Sequence, residues 1–132
     1  MRILFALATI DFLNFTFMGK CKENPRKPKR AQKLLTIGKK DAIPVGRGAT
    51  VQLNDGSEVA IFNVDGNFYA IENFCPHKGM PLADSYLHNT IIECNWHGWL
   101  FDLRSGRCLT KPKCSLETYE VVIENDWIKI LI

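Results

Sequence analysis

The pair Asp65-Gly66 stands between two runs of strand-forming residues, 58–64 (EVAIFNV) and 67–71 (NFYAI). An Asp-Gly pair readily takes the positive-φ geometry of a two-residue hairpin, so the flanking runs are committed to antiparallel pairing in a register the turn sets. The arrangement recurs along the chain. Residues 50–53 (TVQL) alternate ahead of Asn54-Asp55-Gly56. Residues 99–103, the turn Arg104-Ser105-Gly106 and residues 107–109 form a further hairpin. Residues 91–94 (IIEC) make a short strand, and residues 119–124, Asn125-Asp126 and residues 127–132 close the sequence. After Leu34 no window carries a 3.6-residue apolar stripe of helical length. Short strands at regular spacing predict an all-β antiparallel sandwich or barrel. The 132 residues suffice for one core and are too few for two large ones.

Charge divides the chain unevenly. Residues 1–40 hold 10 Lys/Arg against 2 Asp/Glu, whereas residues 41–132 hold 7 against 12. The net charge of +3 therefore hides an acidic body behind a basic leader, residues 1–33. The apolar run 3–18 contains Asp11 and Asn14. An Asp at a bilayer centre costs about 3 kcal/mol and a spanning helix needs ~20 apolar residues, so no membrane association is expected. The run also makes a poor export signal, and Met18 is an alternative start. The segment GKCKENPRKPKR reads as a flexible surface stretch without interleaved aromatics, which argues against nucleic-acid binding. Five cysteines, an odd number at irregular spacing, point to a reducing, cytoplasmic setting with some thiols as metal ligands.

Residues 74–90 (FCPHKGMPLADSYLHNT) contain two Pro and a Gly, and they read as one long functional loop without a strand. Cys75 and His77 stand there at C-x-H spacing. Cys94 and His97 follow at C-x-x-H spacing, with 16 residues between the two pairs. Each pair falls where a strand gives way to a loop, so two loops could bring two thiolates and two imidazoles together. Gly79 and Gly98 follow the histidines closely and let the backbone turn sharply. Two donor chemistries suit this set: one tetrahedral Zn2+, or a [2Fe–2S] cluster with both Cys on one iron and both His on the other. Met80, Pro81, Trp96, Trp99, Leu100 and, on a later loop, Pro112 supply the dry bulk that the larger group needs.

The double motif C-P-H-x-G and C-x-W-H-G-W-x-F-D-x-x-S-G resembles the signature of Rieske [2Fe–2S] ferredoxins and of the Rieske domains of oxygenases. The resemblance covers about residues 34–132. It implies a basal antiparallel β domain carrying a small cluster-binding subdomain at about residues 72–110. It also implies one [2Fe–2S] cluster, with Cys75 and Cys94 on the buried iron and His77 and His97 on the outer one. Respiratory-chain Rieske proteins are less similar. Their extra loop cysteines correspond to Met80 and Trp96, and their hydroxyl donors to Trp99 and Phe101. Without those hydrogen bonds to sulfur the reduced state is less favoured, so the potential is expected near roughly −150 mV, low in the Rieske range.

Catalytic machinery is missing from this set. Only His88 remains beyond the four ligands, and a second metal site of the 2-His-1-carboxylate kind needs two. The expected function is one-electron transfer from an NAD(P)H-dependent reductase to a terminal oxygenase, the chain not being an enzyme by itself. The alternatives are the small subunit of an NAD(P)H-dependent nitrite reductase, which serves a large subunit, and a structural Cys2His2 zinc module. His88 is read as a surface residue, Cys108 and Cys114 as buried or indifferent thiols, and Gly46-Arg47-Gly48 as a turn. Cys21 has no evident partner spacing. Lys78 and Lys113 flank the expected site.

Overall fold

The computed structural model describes residues 33–76, 79–95, 98–111 and 113–132. The leader 1–32 lies outside them, as do His77, Lys78, Trp96, His97 and Pro112. The described chain is built from ten short strands and one 3-10 turn at Lys40–Ala42, which agrees with the all-β expectation. None of its helices is long and apolar enough to cross a membrane.

The strands form three antiparallel sheets. β1 (Leu34–Lys39), β10 (Trp127–Leu131) and β9 (Val121–Glu124) make the first, in the order β1-β10-β9. β2 (Gly48–Gln52), β3 (Glu58–Val64), β4 (Asn67–Glu72) and β8 (Thr118–Tyr119) make the second in that order. β5 (Tyr86–His88), β6 (Ile91–Glu93) and β7 (Leu100–Asp102) make the third. The Asp65-Gly66 hairpin forms as expected, with Val64 opposite Asn67 and both turn residues at positive φ.

β3 shows why the hydrophobic core divides in two. Its residues from Val59 to Val64 are all buried, and successive side chains point to opposite faces. Ala60, Phe62 and Val64 join a cluster with Ile71, Leu82, Ile92, Trp99, Phe101 and Leu103. Val59 and Ile61 join the other, with Ile43, Ala70, Ile128 and Ile130. A strand apolar on both faces belongs in the middle of a sandwich. Here one side faces the β1-β10-β9 sheet and the other faces the third sheet, whose two loops carry the candidate ligands.

Two sequence expectations need correction. Residues 74–90 are not strandless, because β5 pairs with β6 through Tyr86–Glu93, Leu87–Ile92 and His88–Ile91. Its three residues are too few to display an alternating pattern. The run 119–124 is two strands, not one. Thr118 and Tyr119 pair with β4, whereas residues from Val121 onward pair with β10. At the changeover Glu120 accepts a bond from the Leu131 amide at 2.9 Å. Gly46-Arg47-Gly48 is a turn as read, with Gly46 at φ +80° and the Arg47 amide bonded to the Pro44 carbonyl.

Candidate metal centre

β4 ends at Glu72 and β6 at Glu93, and each is followed shortly by a buried cysteine. Cys75 is 0% exposed and Cys94 2%, neither is disulfide-bonded, and both sit in the core cluster that contains Phe62 and Trp99. Two unbridged thiols in one apolar cluster make a soft donor pair, suited to zinc or iron.

The loops around them share one backbone frame. The Cys75 amide donates to the Met80 carbonyl at 2.8 Å, and the Gly79 amide donates to the Cys75 carbonyl at 2.7 Å. In the second loop the Cys94 amide donates to the Trp99 carbonyl at 2.8 Å, and the Gly98 amide to the Cys94 carbonyl at 3.2 Å. Both frames thus close at the fourth and fifth residue after the cysteine. Both need a positive φ at the fourth, where Gly79 has +72° and Gly98 +67°, a region other residues enter only with strain. Gly79 has a second reason to lack a Cβ, which would stand 2.8 Å from the Phe74 ring. In sequence, His77 falls between Cys75 and Gly79, and His97 between Cys94 and Gly98. Both histidines lie outside the described residues, as do the expected neighbours Trp96 and Pro112 and the flanking Lys78.

Of the expected apolar neighbours that are described, Pro81 is exposed and Leu100 half-buried, while others line the core. Trp99 is buried, Phe101 is wholly so, and half-buried Met80 packs on the same cluster. Trp99 and Phe101 bring no hydroxyl to this region. A buried donor pair on two matched loops, walled by apolar side chains, is compatible with a mixed Cys/His [2Fe–2S] cluster.

Asn73 escaped the sequence reading. It is 5% exposed and its Oδ1 accepts the Leu82 amide at 2.6 Å and the Ala83 amide at 2.9 Å. Its Nδ2 donates to Glu58 Oε2 at 3.1 Å and to Thr50 Oγ1 at 3.2 Å. One side chain therefore clasps both ends of the Cys75 loop and ties them to β2 and β3. The only sign in the sequence is an amide two places before the cysteine.

A third segment supports the second frame. The Leu109 amide donates to the Leu100 carbonyl at 2.8 Å, and the Leu100 amide to Thr110 Oγ1 at 3.0 Å. Cys108 is a buried free thiol whose Sγ accepts the Lys111 amide at 3.3 Å, so it shapes this turn and no bridge joins it to Cys114. Cys114 is buried but disulfide-bonded, which corrects the expectation of an indifferent thiol there. Lys113 is exposed. His88 is exposed on β5, with Nε2 3.6 Å from Glu93 Oε2, an ion pair when the ring is protonated.

Comparison with known proteins agrees with this geometry. Residues 33–120 match the Rieske [2Fe-2S] domain model. The ferredoxin component of the naphthalene 1,2-dioxygenase/salicylate 5-hydroxylase systems of a Ralstonia species is 38% identical over 86 residues, 64% of this chain and 82% of that protein. Among solved structures, the Sphingomonas yanoikuyae B1 ferredoxin superposes with a TM-score of 0.69 at 32% identity, covering 74% of this chain and 97% of its own. An NADH-dependent nitrite reductase small subunit from Mycobacterium tuberculosis gives a TM-score of 0.72 at 26% identity, covering 78% of this chain and 97% of its own. With two thirds of its length under the family match and its paired thiols on equivalent loops, the chain belongs to the Rieske [2Fe–2S] family and carries that family's cluster.

Proposed function

We propose that this chain is a one-electron carrier, with Cys75 and Cys94 holding one iron of the cluster and His77 and His97 the other. Gly79, Met80, Trp96, Gly98, Trp99 and Pro112 would surround it, within a cluster-binding unit at about residues 72–110. The bound cluster would supply a single reversible electron. The polypeptide would supply two rigid loops, a dry wall around the sulfurs and an outer edge at the histidines. The observation that carries this reading is the repeated backbone frame built on two buried cysteines outside any disulfide.

The electron would come from an NAD(P)H-dependent reductase and go to a terminal oxygenase, in the cytoplasm where nicotinamide-dependent reductases work. The dioxygenase ferredoxin components among its relatives support that direction. The chain would be one component of a multicomponent oxidoreductase and not its catalyst. The second reading, a nitrite reductase small subunit, rests on the structural likeness to the mycobacterial protein.

The test is the EPR spectrum of anaerobically purified protein after dithionite reduction, against a Cys94→Ala control. The expected result is a rhombic signal of low mean g that the control lacks. A silent spectrum with stoichiometric zinc would make the site a structural clamp. Copurification then separates the partners: an oxygenase supports the first reading, a siroheme flavoprotein the second.

A further inference from the structure

A cleft of about 390 Å³ opens between the β2–β3 turn and the Cys75 loop. Its walls include Phe74, Pro81 and Tyr119, and Glu58 and Glu72 stand within it. Phe74 is 40% exposed although it is a large aromatic beside the metal centre. No lysine or arginine lines the cleft among the described residues. The carboxylates are held in place: Glu58 Oε2 by Asn73 Nδ2 at 3.1 Å, and Glu72 Oε1 by the Glu117 amide at 3.0 Å. Burial, followed by the nearby charges of Glu117, Glu72 and Asp55, pushes the Tyr119 hydroxyl up to about 12. The described charges around that hydroxyl are carboxylates.

We propose that this cleft docks an arginine on the surface of the electron acceptor, its guanidinium between Glu58 and Glu72 and its stem on Phe74 and Tyr119. The proposal rests on the carrier reading above. Three features select this occupant. Among the described residues, the only charges lining the cleft are carboxylates, so a cation is favoured. The walls are aromatic and apolar, which suits a planar, weakly hydrated guanidinium stacked on a ring better than a compact ammonium. One wall is the Cys75 loop itself, so a partner seated here lies against the metal centre. Asn73 also binds both Glu58 and the closing residues of that loop, so the docking contact and the frame belong to one hydrogen-bond network.

The test compares three cluster-loaded proteins: wild type, Glu58→Gln/Glu72→Gln, and Asp41→Asn/Glu124→Gln. The last removes the same formal charge from the β1-β10-β9 side. Glutamine keeps the acceptor oxygens that Asn73 and Glu117 use, so folding should be preserved. Each reduced protein is mixed in a stopped-flow cell with the terminal oxygenase of a naphthalene dioxygenase system, at low and high salt. Loss of a steering contact predicts a rate constant about tenfold lower for the cleft variant at low salt, with most of the salt dependence gone, and little change for the control. Equal rates for all three, or equal losses in both variants, would overturn the proposal.

Failure of the wild type to reduce any oxygenase would instead count against the carrier reading. The cleft is then decided by titration with a hexa-arginine peptide. Binding weakened about fivefold or more only by Glu58→Gln/Glu72→Gln supports it, and equal binding by all three refutes it.

Discussion

Gly79 and Gly98 hold the same place in their two loops, yet alanine should not be equally harmful at each. A positive φ strains alanine at both, by about 1 kcal/mol. At Gly79 the new methyl must also displace the Phe74 ring. Gly79→Ala should therefore lower iron content and the urea midpoint more than Gly98→Ala does, and the opposite order would contradict the steric argument. Asn73→Ala would strip two buried amides of their acceptor and should destabilise the protein by about 2 kcal/mol in urea unfolding. Asn73→Asp keeps the acceptor but sets a carboxylate beside Glu58, so its deficit should be smaller and should shrink as the pH falls. Tyr119 gives a test at the alkaline end. Its ordinary value is 10 and the folded value about 12, so the native state keeps the proton that the unfolded chain loses first. The tyrosine's contribution is intact below pH 10 and declines as the pH rises toward 12. Stability should thus fall more steeply over that interval in the wild type than in Tyr119→Phe, as read by denaturant midpoints. The role of Asn73 was not legible in the sequence, because its partners at Leu82 and Ala83 meet it only once the loop has closed. The matched cysteine loops were legible, since residue type, spacing and the following glycines mark both in the sequence.

At the scale of elements, turn chemistry told more than strand composition. Asp65-Gly66 and Asn125-Asp126 located their hairpins because few pairs tolerate positive φ at such positions. β5 was hidden inside a segment rich in loop residues, and it exists because β6 offers it an edge. The split between β8 and β9 was hidden for a different reason. Alternation shows that residues form a strand but not which sheet they join, and Glu120 is where the partner changes from β4 to β10. β3 is the element on which packing depends most. Phe62 lies on the face toward the metal centre and Ile61 on the other. Phe62→Ala should cost about 4 kcal/mol and Ile61→Val about 1 kcal/mol. Urea unfolding of the two variants checks the ratio, and a mild Phe62→Ala would mean that face is loosely packed.

Across the whole molecule, the sequence marked a β scaffold and a site but not how they are joined. The joint is β3, a tertiary fact that no local pattern carries. The surroundings of the sulfurs also set a property of the molecule as a unit. Trp99 and Phe101 are buried in the same core cluster as Cys75 and Cys94 and bring no hydroxyl there, so the midpoint should lie near roughly −150 mV. Protein-film voltammetry would measure it, and a value well above zero would show that other donors reach the cluster. A strand that lends alternate side chains to both halves of the interior leaves no seam along which the molecule could come apart. Heat should therefore take its colour and its shape together, and no pale but still folded remnant should survive to wait for fresh iron.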